Sequence, residues 1–132
     1  MASLLSQCPE RVWIGTVEFA LNLVPAEHEK LDGGESDGCS EWNPPALYVC
    51  NSLRLSELLE TMWHELTHAV DFVSDIEDGA IEEDIADKHA KVWSQFWINN
   101  PSFQRWWTQA CVAIRRNRQS GGKTKHTEGV PT

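Results

Sequence analysis

The sequence has few of the features that mark cysteine metal sites, secretion or membrane insertion. Its four cysteines, Cys8, Cys39, Cys50 and Cys111, form no C-x-x-C pair, so a cysteine zinc knuckle is not expected. The first ten residues lack a basic region followed by a long apolar run, and no stretch reaches the length of a membrane span. These absences favour a soluble protein with free thiols in a reducing compartment, the cytoplasm, with no membrane partner.

Basic residues are scarce outside the end of the chain. Five of the eleven Lys and Arg residues lie after residue 114, so residues 1–114 carry six basic and nineteen acidic side chains. An acidic body repels phosphates, and we therefore expect no nucleic-acid partner. Residues 118–132 are predicted to form a flexible basic tail behind a single domain over residues 1–117.

Two strands are predicted in the first half of the chain. Apolar and polar residues alternate over residues 16–24, as in a strand with one buried face. Residues 46–50 form a short apolar run that suits a second strand, whereas the polar, glycine-containing residues 26–41 are typical of a loop.

Three helices are predicted in the second half. Apolar residues recur at spacings of three and four over residues 57–73, 81–97 and 102–116. Ser56 is the expected N-cap of the first helix. A short sheet followed by three helices predicts an α+β fold.

The most informative stretch spells H-E-x-x-H at His64, Glu65 and His68, inside the first predicted helix. Side chains four residues apart leave the same face of a helix one turn apart, so both imidazoles can bind one zinc ion. Glu65 can then reach a water bound to that zinc. Burying three such groups without a function would be costly, which weakens the alternative of a core histidine pair that only packs and hydrogen-bonds. The pattern therefore predicts a zinc-dependent hydrolase.

A catalytic zinc needs a third protein ligand and one open position for water. Glu82, Glu83 and His89 follow the first helix and are the candidates. The apolar stripe of the second helix favours Glu82 or His89, although His89 can also be a packed core histidine. Glu83 lies to the side of that stripe, but it is in the first turn, where the stripe constrains the orientation of a side chain less. Spacing alone does not decide which of the three candidates is the third zinc ligand.

Residues 64–70 resemble the zinc-binding helix of the thermolysin-like zincins, the gluzincins. Residues 79–87 resemble the second ligand helix of that group, which carries the pattern E-x-x-x-D. By position, this local resemblance implies Glu83 as the third zinc ligand and Asp87 as the carboxylate that orients a ligating histidine.

A longer part of the chain, about residues 12–107, resembles the small zinc metallopeptidases encoded by phages and prophages. Those proteins have a short sheet, a helix close to H-E-x-x-H-A-x-D, an acidic pair opening the next helix, and an Asn-Pro break. The matching segments here are residues 17–25, 46–50, 64–71, 82–83 and 100–103. The resemblance implies a minimal zincin-like domain with the H-E-x-x-H helix in its core, acting on a protein or peptide in the host cytoplasm.

Two other functions remain open at this point. Residues 89–93 and 53–57 resemble segments of the SprT-like proteases, which act on DNA-associated proteins, but the acidic body and the lack of a cysteine zinc ribbon depart from that family. A non-catalytic interaction module stabilised by zinc is the third possibility. Glu65 argues against it, because a structural zinc site needs no base.

The expected mechanism is peptide-bond hydrolysis by a zinc-activated water. His64, His68 and Glu83 are expected to bind Zn²⁺, and Glu65 is expected to act as the general base. Tyr48 and His28 are the side chains available to stabilise the oxyanion, although neither belongs to a recognisable motif.

Overall fold

A computed structural model describes residues 3–75, 79 and 81–124, with side chains to residue 119. A sheet precedes three long helices, which confirms the α+β fold. The elements are β1 (Arg11–Ile14), β2 (Val17–Val24), β3 (Gly38–Trp42), β4 (Pro45–Cys50), α1 (Leu55–Ser74), α2 (Glu82–Asn99) and α3 (Pro101–Thr124), with short 3-10 helices at Leu5–Gln7 and Glu29–Gly34.

The four strands form one mixed sheet in the order β1-β2-β4-β3. The β2–β4 pair is parallel, and the two outer pairs are antiparallel. The parallel pair is possible because β3 and the 3-10 helix at Glu29–Gly34 lie between β2 and β4 in the chain. The edges of the sheet are therefore β1 and β3.

The core lies between one face of the sheet and the three helices. Phe19 of β2 and Leu47 of β4 are fully buried there with Leu66 of α1. Alternation along a strand explains this face, because every second side chain points to the same side. The helices α2 and α3 add Val92, Phe96, Phe103, Trp106 and Ala110. Among the described helices, none is long and apolar enough to cross a membrane.

The strands predicted over residues 16–24 and 46–50 are confirmed. The loop predicted over residues 26–41 is wrong in part, because β3 begins at Gly38 and a 3-10 helix occupies Glu29–Gly34. No alternation marks β3, since the first four of its five residues are all half-buried. Strand β1 has a clear alternation of burial, but it is only four residues long and was not predicted.

All three predicted helices are present. The expected N-cap at Ser56 is wrong: Arg54 takes that position, and its guanidinium bonds Glu57 of the first turn at 3.1 Å. Helix α3 begins with Pro101, whose missing N–H costs nothing at a first helical position. It continues to Thr124, so the predicted end at Arg116 is too early. Residues 118–124 of the predicted tail are thus helical, and residues 125–132 lie outside the described residues.

The Asn-Pro break between α2 and α3 closes the outer edge of β1. The buried Asn100 side chain accepts a hydrogen bond from Trp13 N at 2.7 Å and donates one to Trp13 O at 2.7 Å. Its amide also donates to Phe96 O at 2.8 Å. One amide side chain therefore satisfies the strand edge in the way that a neighbouring strand would.

Candidate metal centre

His64 and His68 point from α1 into the same cleft. Their Nε2 atoms lie 3.2 Å apart, with the two rings nearly perpendicular. Two imidazole nitrogens on one tetrahedral zinc lie about 3.3 Å apart, given Zn–N bonds of about 2.0–2.1 Å. This separation fits two ligands of a single zinc ion, and it is also a hydrogen-bond distance between the two rings when one Nε2 carries a proton. Both imidazoles are exposed enough to be reached from solvent.

Glu65 is turned inward from the two histidines, and only 7% of it is exposed. Its Oε1 atom accepts a hydrogen bond from the Ser40 hydroxyl at 2.5 Å. The same hydroxyl lies 3.4 Å from the Glu65 carbonyl oxygen. The bond to a side chain of β3 fixes the orientation of the carboxylate, while Glu65 still lines the cleft together with the histidines.

The backbone of β3 approaches Glu65 very closely at Gly38. A Cβ atom at this position would lie 2.6 Å from Glu65 Oε2 and 2.9 Å from its Cγ. These distances are shorter than van der Waals contact, so any larger residue must displace the carboxylate or the strand. Gly38 and Ser40 lie two residues apart and therefore face the same side of the strand, toward α1.

The cleft lies between β3 and α1 and has a volume of about 590 Å³. The residues that line it are Ser36, Asp37, Gly38, Cys39, Ser40, Trp42, Glu60, Thr61, His64, Glu65 and His68. Burial, followed by the nearby carboxylates of Glu41 and Glu65, raises the pKa of the Cys39 thiol. The raised pKa keeps the Cys39 thiol protonated near neutral pH, so it is a poor nucleophile.

The third ligand is not brought to the histidine pair. Within the described chain, no three His, Cys, Asp or Glu side chains lie close enough to bind one metal ion. Glu82 and Glu83 are both exposed in the first turn of α2. The expectation that Glu82 lies on a buried stripe is wrong, because α2 buries only Val92 and Phe96. Glu83 as a ligand stays a prediction.

His89 has a different partner. Its Nε2 atom lies 2.5 Å from Asp71 Oδ1, so the pair links α2 to α1 one turn beyond the H-E-x-x-H motif. Lys88 adds a second link by donating to Asp75 O at 3.3 Å. In the described chain, no hydrogen bond joins the exposed Asp87 to His64 or His68.

Tyr48 and His28 lie away from the cleft. Ser40 pairs with Leu47 on the face that α1 covers, so Tyr48, the next residue along β4, points to the opposite face. The Tyr48 and His28 rings pack there 5.7 Å apart. Neither of these two available side chains is therefore placed to stabilise an oxyanion in the cleft.

Gly38 and Ser40 are the site residues that sequence reasoning missed. Both fall in the segment that was predicted to be a loop. The available signal is Trp42, a residue typical of strands that follows this segment directly and precedes the Asn43-Pro44 turn, but the Gly, Cys and Ser residues before it have no strand periodicity.

Comparison with protein-family models, with curated proteins and with solved structures returned no match.

Proposed function

We propose that this protein is a zinc-dependent metallopeptidase. The observation that carries the proposal is the 3.2 Å separation of the His64 and His68 Nε2 atoms, at a cleft that also contains the Glu65 carboxylate. Zinc bound there supplies a Lewis acid that activates water and polarises a carbonyl group. Glu83 remains our candidate for the third ligand, by its resemblance to the second ligand helix of the thermolysin-like zincins.

The role of Glu65 in this proposal is to take a proton from the attacking water and deliver it to the leaving amine. A general base must be ionised and correctly oriented before the substrate arrives. The Ser40 hydroxyl, which donates to Oε1, and the close backbone of Gly38 hold the carboxylate in one position. The second oxygen, Oε2, receives no bond from Ser40 and is the atom we assign to the proton transfer.

The edge of β3 supports a peptide as the substrate. The N–H and C=O groups of successive residues in a strand point alternately to its two sides. Asp37 O accepts a hydrogen bond from Cys50 N, so the backbone groups of Asp37 and of every second residue after it face β4. The backbone groups of Ser40 and Trp42 fall at the other positions and point away from β4. Within the described chain, β3 pairs only with β4, whereas Asn100 covers the corresponding edge of β1. The Ser36 hydroxyl donates to Gly38 O at 2.8 Å, so the part of this edge that is open to a further strand is at Ser40 and Trp42. This part lies along the cleft, where an extended peptide can add as a further strand.

The cellular setting is part of the same proposal. The four cysteines are free, which fits the reducing bacterial cytoplasm. The resemblance to peptidases encoded by phages and prophages suggests a phage or host protein as the substrate.

Zinc content and hydrolysis of a peptide library test the proposal together. Wild-type protein should bind one zinc per chain and cleave peptides, and a chelator should abolish cleavage. Glu65→Gln should keep the zinc and lose at least about 100-fold in kcat/KM. Glu60→Gln is the matched control, because Glu60 lines the same cleft and is exposed. Zinc binding without hydrolysis, with loss of the fold on chelation, would instead indicate a structural zinc module.

A further inference from the structure

Two stacked aromatic side chains lie at one end of the cleft. The rings of Trp42 and Phe72 are 4.5 Å apart and almost parallel, with an interplanar angle of 2°. Both are solvent-exposed, Trp42 by 37% and Phe72 by 47%. Exposed aromatic surface that remains stacked beside a cleft is typical of a binding site for an apolar group.

The pair is held rigidly by the core. The Trp42 ring contacts the buried Phe19 ring edge-to-face, with centroids 6.1 Å apart and an interplanar angle of 88°. Phe72 is stacked on Trp42, so three rings are in contact from the buried Phe19 to the solvent-exposed Phe72. Since Trp42 cannot rotate freely, an apolar group binding here loses little free energy to side-chain ordering.

The position of the pair relative to the histidines is set by α1. His64, His68 and Phe72 are spaced by four residues and so lie along one face of the helix. Trp42 also lines the cleft itself. The aromatic surface is therefore continuous with the candidate metal site. The opposite end of the cleft is polar, with Ser36 and Asp37 directly before β3 and Glu60 on α1.

We infer that the Trp42–Phe72 pair binds a large apolar side chain of the peptide substrate and so determines cleavage specificity. This inference rests on the proposed peptidase function. A peptide paired with the edge of β3 places every second side chain on the α1 side of the sheet. The side chain opposite Trp42 lies on the aromatic pair, two residues from the side chain opposite Ser40. The preferred substrate therefore carries Phe, Leu or Trp at one fixed position close to the scissile bond.

Binding is measured first, with zinc-loaded Glu65→Gln protein, which is expected to hold peptides without cleaving them. Each comparison uses two peptides that are identical except at one position, where one peptide has Phe and the other has Ser. The comparison is repeated for every position of the peptide. At one position, the Phe peptide should bind about tenfold more tightly and shift the Trp42 indole N–H signal in NMR spectra. Phe72→Ala should remove this preference, and Phe72→Leu should keep part of it. Trp13→Ala is the control, because Trp13 is an exposed edge-strand tryptophan that does not line the cleft.

Cleavage by wild-type protein separates this inference from the proposed function. A Phe preference in kcat/KM at the same position, lost in Phe72→Ala and kept in Trp13→Ala, is the expected result. Cleavage with equal rates for Phe and Ser at every position would overturn the inference and leave the peptidase function intact. Phe-selective binding without any cleavage would overturn the peptidase function and leave the pair as a binding site. Equal binding of both peptides throughout, with an unchanged Trp42 signal, would also overturn the inference.

Discussion

The α-carbon of Gly38 lies so close to Glu65 that an added methyl group would be 2.6 Å from Glu65 Oε2. Gly38→Ala should displace the carboxylate and lower kcat/KM by at least about tenfold, because misplacing a base reduces proton transfer. Zinc affinity should change little, since the histidines are untouched. Kinetics and zinc titration on the same protein check this result.

Gly33→Ala is the control for Gly38→Ala. A Cβ at Gly33 meets no atom within 4 Å, but its φ of +65° makes alanine strained there. This variant should lower the melting temperature while preserving kcat/KM. An equal loss of activity in both variants would mean that Gly38 acts through general stability and not through Glu65.

The hydroxyl of Ser40 is the only hydrogen-bond donor found for the Glu65 carboxylate within the described chain. Ser40→Ala should lower kcat by about tenfold or more, because a bond to a charged group contributes about 1.5–3 kcal/mol. The measurement is kcat at saturating peptide, compared with Thr61→Ala, which removes another hydroxyl from the same cleft. Wild-type kcat in Ser40→Ala would show that the hydroxyl does not orient the base.

The helix that carries the motif was predictable because its burial follows its sequence. In α1, Leu58, Met62, Leu66, Ala69 and Val70 are buried at spacings of three and four. Once the buried positions are known, the face of α1 that carries His64 and His68 follows from their places in the sequence. By contrast, β3 is an edge strand with one neighbour, and its half-buried Gly, Cys and Ser residues produce no period-two pattern.

The third ligand is harder to predict because it depends on how α2 is placed against α1. The buried residues of α2, Val92 and Phe96, lie in its second half, and its first turn is exposed and acidic. Apolar spacing therefore cannot fix where Glu82 and Glu83 point. The His89–Asp71 contact joins two residues eighteen positions apart, and no local pattern predicts such a pair.

Zinc affinity measured by competition with a chelator distinguishes the ligand candidates. His64→Ala and His68→Ala should each weaken binding by at least about 100-fold, because each removes a direct ligand. Glu83→Ala should weaken it more than Glu82→Ala or His89→Ala does. If Glu82→Ala lost zinc and Glu83→Ala held it as tightly as wild type, the assignment would move by one residue.

The stability of the protein should decrease at alkaline pH through Cys8. Burial raises the pKa of this thiol from 9.0 to about 12. The folded state therefore holds the proton to a higher pH than the unfolded state, so the contribution of Cys8 is complete below pH 9 and is lost between pH 9 and pH 12. By pH 10 the loss is about 1 kcal/mol. Urea unfolding of wild type and Cys8→Ala at pH 7.5 and pH 10, under reducing conditions, checks this, since the variant should lose less stability over that interval.

Asn100 should be among the most sensitive positions outside the cleft. Asn100→Ala removes three hydrogen bonds, and it leaves the N–H and C=O groups of Trp13 without their side-chain partner. We expect the free energy of unfolding to fall by about 2–4 kcal/mol, because each bond lost at a buried site costs about 1 kcal/mol or more. The exposed edge of β1 should also promote association between copies of the chain. Urea unfolding and light scattering measure the two effects, with the exposed neighbour Asn99→Ala as control. A variant as stable and as monomeric as Asn99→Ala would show that Asn100 does not close the strand edge.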